Sequence, residues 1–123
     1  MKTIGLLGGM SWESTLGYYR LINEGIKKIH GGLHSAKIAM YSVDFDPIEK
    51  LQHAGNWQGT ARILSEAAQN VQAAGADFLL ICTKTMHKVP TEIEAAIQIP
   101  LQHNADSTAE VLVMYGVQSV GLV

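Results

Sequence analysis

Residues able to do chemistry crowd most densely into CTKTMHKVP, Cys82 to Pro90, where an apolar run that starts at Phe78 gives way at once to Thr83, Lys84, Thr85 and His87. Hydroxyls, backbone amides and a cation converging on one loop suit the binding of an anion. Cys82 is the one cysteine in the chain, and a reactive thiolate there would need exposure and a positive neighbour, which Lys84 or His87 could supply. In a strand, adjacent side chains point to opposite faces, so Cys82 and Thr83 cannot both face one cleft unless the chain has already turned. Cys82 still belongs to the apolar run, where a free cysteine behaves as a small hydrophobe. On the residues alone, reactive thiol and core residue both stay open. His87 reads equally as a loop residue or as a cap for the helix beginning near Pro90.

Two further segments have the same character. GGMSWEST, Gly8 to Thr15, follows an apolar run and precedes a helical pattern. Glycines let the backbone turn tightly and approach a ligand, and the helix start presents unpaired N–H groups to it, so Met10 and Ser11 mark a site for a carboxylate or phosphate. A tight strand-to-helix turn with no ligand is the plainer reading. The dinucleotide fingerprint G-x-G-x-x-G is absent, and no Gly-Lys-Ser/Thr of a phosphate loop occurs. The third segment is SVDFDPIEKLQ, Ser42 to Gln52. Asp44 could accept a ribose hydroxyl or simply stand on a surface loop, and Gln52 could offer its amide to a ligand. The five histidines are scattered without ligand spacing, so no metal site is expected.

These segments need elements to carry them. TIGLL, Thr3 to Leu7, reads as a buried strand. The next helix has Ser11 as N-cap and Glu13 in its first turn, with Tyr18, Ile22, Ile26 and Ile29 inward at spacings of 4, 4 and 3, and Gly31 and Gly32 ending it. Ala36 to Val43 is a second strand, and Asp46-Pro47 opens a short irregular or helical segment reaching Gly55. A long helix from Asn56 to Ala74 turns Leu64, Ala67, Ala68, Val71 and Ala74 inward, and Gly75 stops it. Phe78 to Cys82 is a third strand, apolar throughout as in a parallel-sheet interior. A short helix over Pro90–Ile97, a short strand over Ile99–Gln102, a helix over Ser107–Met114 and a strand over Ser119–Val123 complete the pattern. Alternating strands and helices imply βαβ units and a three-layer α/β domain with a mostly parallel sheet. SVGLV at the end matches TIGLL in residue type position for position. The expectation is a first domain over 1–116, with 117–123 the first strand of a second, truncated one.

Composition sets bounds on function. The chain has 123 residues, 47% of them hydrophobic, enough for one modest core. Only 16% are charged, which fits a surface partly covered by something else. A net charge of -2 offers no electrostatic case for nucleic acid or an anionic membrane. A single cysteine leaves no internal disulfide and suits a reducing, cytoplasmic setting. The start MKTIGLLGG is too short in apolar run to be a signal peptide, and no stretch approaches the roughly 18 apolar residues of a membrane helix.

GLLGGMSWEST, YSVDF and CTKTMHKVP together resemble the aspartate/glutamate racemase family, and the resemblance runs from Met1 to Val123. It implies two similar α/β domains, of which this would be the first, and a reaction that uses neither pyridoxal phosphate nor metal. In that family one acid/base residue from each domain, usually cysteine, flanks the substrate Cα; one removes the α-proton while the other delivers a proton to the far side. The family motif reads cysteine, asparagine, threonine, a small or apolar residue, histidine. Laid on this chain, Thr85 matches the threonine and His87 the histidine, so Lys84 falls on the asparagine and Thr83 on the catalytic cysteine. The resemblance thus implies Thr83 as the catalytic position and Cys82 in the core, with Lys84 and Thr85 at an aspartate or glutamate substrate; Met10, Ser11 and Gln52, placed by their positions at the strand ends, complete the expected substrate contacts. It is closest to a branch with threonine at that place, whose true cysteine lies in the other domain. The 123-residue chain alone is expected to be inactive and to form a homodimer. The alternatives are a non-catalytic module that binds an acidic amino acid or only oligomerises, and a nucleotide-binding α/β domain.

Overall fold

The computed structural model describes residues 2–82 and 90–102. Its elements run β1 (Ile4–Gly8), α1 (Trp12–His30), β2 (Ile38–Ser42), α2 (Phe45–His53), α3 (Trp57–Ala73), β3 (Phe78–Ile81), α4 (Pro90–Ala96) and β4 (Leu101–Gln102). The four strands form one sheet in the order β2-β1-β3-β4. Every neighbouring pair is parallel. The α/β reading of the sequence holds. The helix over Ser107–Met114, the strand over Ser119–Val123 and the domain boundary after residue 116 lie outside the described residues.

The strands sort their side chains by parity, as a pleated sheet requires. Ile4, Leu6, Phe78, Leu80 and Cys82 pack with Ile22 and Ile26 of α1 on one face. Leu7, Leu79 and Ile81 pack on the other face with Ile48 of α2, Ile93 of α4 and the inner row of α3, which includes Leu64, Ala68 and Val71. Among the described residues, one helix therefore covers the first face and three cover the second, giving three layers. β1 and β3, the two inner strands, are buried throughout, whereas β2 at the edge is half-buried to exposed. Each fully buried Ile or Leu in these layers contributes about 1.5–3 kcal/mol relative to exposure.

Several boundaries move from their sequence-based positions. The second strand begins at Ile38 rather than Ala36, because the Ala36 N–H donates to the Asn23 side chain of α1 (2.8 Å) instead of to a neighbouring strand. α2 is a regular helix that starts at Phe45, two residues before the proline, with Asp44 as its N-cap. Ala74 forms the C-cap of α3 and is exposed, since the chain leaves the helix there before its inner row can use it. Gly31 and Gly75 end α1 and α3 at positive φ (72° and 99°) as expected.

Along α1, Trp12, Leu16 and Tyr19 stay exposed beside the exposed Met40 of the edge strand, while Tyr41 is exposed on the opposite face. A shallow groove of about 290 Å³ runs between Trp12, Leu16, Tyr19 and Met40. An exposed apolar strip therefore runs along α1 beside Met40 of the β2 edge. Among the described residues, no helix is long and apolar enough to cross a membrane.

Candidate functional site

The sheet order makes one edge of the sheet the candidate place for a ligand. From β1 the chain passes to β2 on one side, then crosses back to β3 on the other. At such a reversal, helices lie on opposite faces and leave a crevice outside the carboxyl ends of the two strands. Those ends are the β1 exit at Gly8 and the β3 exit at Ile81. Leu7 pairs with Ile81 in the ladder. One residue on, the Cys82 N–H donates to Leu7 O at 2.9 Å. On the other side Gly8 pairs with Ser42. The Val43 N–H then donates to Gly8 O at 2.8 Å. Three segments far apart in sequence therefore meet along one edge of the sheet, with the glycine turn in the middle.

The β1 exit is tightly built. At Gly9, φ is +98°, and a Cβ would sit 2.2 Å from Val43 O and 2.5 Å from Val43 N. At Gly8, a Cβ would come within 2.5 Å of Thr15 Cγ2 and 2.6 Å of its Oγ1. No residue but glycine fits either place. Met10 sends its side chain into the core beside Leu7 and Ile48, so only its backbone is available to a ligand. Ser11 is exposed and, at φ 65°, is the one described non-glycine residue with positive φ. An L-residue is held there at a cost of order 1–3 kcal/mol, and such strain gathers at ligand clamps and active sites.

Ser11 occupies the N-cap position of α1 as expected, but its hydroxyl makes no capping bond to the helix backbone. It makes long contacts instead, donating to Glu13 Oε1 and accepting from Ser14 Oγ, both at 3.4 Å. The reason is its backbone: an N-cap needs extended dihedrals to swing the side chain over the first turn, and positive φ turns it away. The early amides of α1 therefore lack the hydroxyl that usually satisfies one of them, which leaves this helix start open to an external anion.

Sequence reasoning passed over Thr15. It is 5% exposed. It receives the Gly9 N–H on its Oγ1 at 3.0 Å, and the same hydroxyl reaches Ser11 O at 3.5 Å. A signal existed: Thr15 falls three residues before Tyr18 and seven before Ile22, on the inner stripe of α1, where a polar side chain needs a buried partner.

The β2 exit is different. Asp44 has an extended backbone, and its carboxylate accepts from the Asp46 N–H at 3.4 Å, so it starts α2. Gln52 lies half-buried in the last turn of α2, and its carbonyl accepts from the Gly55 N–H at 3.0 Å.

At the β3 exit, Cys82 is fully buried against the α1 face. Burial pushes its thiol up to about 12 from an ordinary value of 9.0. It stays protonated near neutral pH and behaves as a small core residue. Thr83, Lys84, Thr85 and His87, which follow Cys82 directly, lie outside the described residues. Among the described residues, no group of three or more histidine, cysteine, aspartate or glutamate side chains could hold a metal ion.

Comparison with known proteins gives this edge of the sheet a context. The family model for Asp/Glu/Hydantoin racemase matches residues 7–123. A solved structure of a candidate Asp/Glu racemase from Yersinia pestis is similar at 56% identity and a TM-score of 0.83 over 95% of this chain. An aspartate racemase homologue from Pyrococcus horikoshii is similar at 30% identity and a TM-score of 0.78, again over 95% of the chain. In both cases the chain spans 51% of the other protein's length.

Proposed function

Because the chain belongs to the Asp/Glu/Hydantoin racemase family, we propose that it forms the N-terminal half of a cofactor-independent racemase acting on aspartate or glutamate. The observation that carries this reading is the family match over 7–123, which takes in both GGMSWEST and CTKTMHKVP, combined with the Leu7–Cys82 hydrogen bond that seats their two strand exits side by side.

In this reading the α1 start, with the backbone at Met10 and Ser11, and the side chains of Gln52, Lys84 and Thr85 hold the substrate carboxylates. Thr83 faces Cα from one side and is the proton carrier there; Cys82, buried and protonated, is not. As one group takes the α-proton, negative charge builds onto the α-carboxylate. Donors already aimed at that carboxylate then bind it more tightly than in the ground state, which is how they lower the barrier. A second group delivers a proton to the opposite face of Cα, completing inversion without net gain or loss of protons. That second group belongs to the remaining half of the matched length. The apolar strip of Trp12, Leu16, Tyr19 and Met40 supports self-association, with a homodimer the simplest form.

Calorimetry with L-aspartate and L-glutamate tests the binding half of the proposal, with NAD as the control for a nucleotide site. An acidic amino acid should bind, with affinity that falls as salt rises. Lys84→Met should weaken that binding by about 1–3 kcal/mol, the scale of a hydrogen bond to a charged group. Chiral chromatography tests the catalytic half: this chain alone should not racemise either amino acid, and supplying the complementary fragment should restore turnover. Robust racemisation by the 123-residue chain would overturn the assignment of one carrier to each half.

A further inference from the structure

We propose that Thr15 is the positioning residue of this site: its buried hydroxyl holds the turn from Gly8 to Ser11 in the shape that presents its backbone to a carboxylate. One oxygen touches both ends of the turn. Thr15 Oγ1 accepts from the buried Gly9 N–H at 3.0 Å and reaches Ser11 O at 3.5 Å. A threonine inside a helix commonly bonds the carbonyl four residues back, so the Ser11 contact alone is ordinary. The Gly9 contact is not, because it leaves the helix and ties the strand exit to it.

The turn is held from the other side as well. Gly8 O accepts the Val43 N–H, and the Val43 backbone closes the space beside Gly9. Thr15 fills the space beside Gly8. Met10 is anchored in the core. The strained Ser11 at φ 65° follows directly, and its carbonyl also collects the Ser14 N–H (3.1 Å) and the Thr15 N–H (3.3 Å). Without the Thr15 hydroxyl, the buried Gly9 N–H loses its acceptor, and the turn can relax toward an ordinary helix start in which Ser11 caps α1 and occupies the open amides itself.

The part of this inference that concerns a ligand rests on the racemase reading; the part that concerns the turn does not. Three forms of the full chain separate them: wild type, Thr15→Val, which keeps the shape without the hydroxyl, and Thr15→Ser, which keeps the hydroxyl. Amide exchange and amide resonances of Gly9 to Ser11 are read by NMR, and Kd for L-aspartate and L-glutamate by titration. Thr15→Val should speed exchange of the Gly9 amide by about tenfold or more, move the Gly9–Ser11 resonances and raise Kd about tenfold. Thr15→Ser should stay within about threefold of wild type on each measure. If Thr15→Val leaves exchange and resonances unchanged, or Thr15→Ser behaves like Thr15→Val, the hydroxyl does not set the turn and the proposal fails. Should Thr15→Val not fold, the Gly9 exchange rate in Thr15→Ser decides: near wild type supports the proposal, about tenfold faster overturns it. A wild-type chain that binds neither amino acid sinks the racemase reading, while the exchange data still decide the role of Thr15.

Discussion

The exits of β1 and β2 are both short turns from a strand into a helix, both lie on the same edge of the sheet, and both begin with a residue fit to cap. At β2 the local rules are obeyed. Asp44 is extended, its carboxylate reaches the Asp46 amide, and α2 starts where its cap dictates. At β1 they are broken. Ser11 stands in the cap position but at positive φ, its hydroxyl does not cap, and tertiary contacts from Thr15 and Val43 hold the turn instead. A sequence folds most readily when every level agrees, and disagreement persists where something other than stability has selected it. By this measure the Asp44 cap serves the fold, and the β1 exit is the turn whose geometry local stability does not account for.

The comparison breaks first at Gly9. Gly9→Ala must place a Cβ against the Val43 backbone at φ +98°, so it should cost about 3–5 kcal/mol in urea unfolding or prevent folding. A loss under about 1 kcal/mol would mean that the turn is soft and that nothing distinguishes it from the β2 exit. Next in size is the third exit. Cys82→Ala should cost about 1–2 kcal/mol from lost packing and leave affinity for an acidic amino acid unchanged. It also carries a pH signature. The folded thiol titrates at about 12 against 9.0 when unfolded, so the folded state keeps its proton longer. Wild-type stability from this group is therefore complete below pH 9 and lost as pH rises toward 12, and the wild-type minus Cys82→Ala difference should shrink over that window. Rapid thiol labelling of the native chain at neutral pH would contradict both statements.

Smaller effects sharpen the contrast. Asp44→Ala removes a long, exposed capping bond and should cost about 0.5–1 kcal/mol with no change in ligand affinity. Ser11→Gly relieves the positive φ and should be neutral or stabilise by up to about 1 kcal/mol, yet weaken binding of an acidic amino acid. Opposite signs in stability at two cap positions would be the clearest measure of the difference between them. If Ser11→Gly destabilises the chain as Asp44→Ala does, Ser11 is an ordinary cap.

The layers of this fold are legible in the sequence because they follow from periodicity. The apolar runs Thr3–Leu7 and Phe78–Cys82 found the two inner strands, and Leu64, Ala67, Ala68 and Val71 found the inner row of α3. The strand ends themselves were legible too, since an abrupt change from apolar to polar residues is local. The clamp on the turn was not. Thr15 meets Gly9 only because α1 folds back over the β1 exit, and no short-range rule distinguishes a threonine that spans a turn from one that merely faces inward. Ser11 misled for the same reason: its type is right for a cap, while it follows a turn packed against Thr15 and Val43, contacts that no local rule anticipates. Ala36 fell short of the strand because Asn23 of the preceding helix took its amide.

At the opposite edge of the sheet, β1 and β3 are tied by residues 74 apart in sequence: the Thr3 N–H donates to Asp77 Oδ2 (2.7 Å). The Asp77 N–H donates back to Thr3 O (2.8 Å). β1 meets β2 sooner, Ile4 opposite Ile38. The difference in loop-closure entropy is only about 0.7 kcal/mol, roughly a threefold bias. Order of synthesis adds to it, because β1, α1 and β2 leave the ribosome before β3 exists. Until β3 arrives, β1, an inner strand of the finished sheet, is an edge strand, with IGLLG offering an unpaired row of amides and carbonyls. The crevice is thus completed by the later partner. A nascent chain stalled before Phe78 would carry the glycine turn but no site, and its most apolar strand would be open to whatever strand it met first.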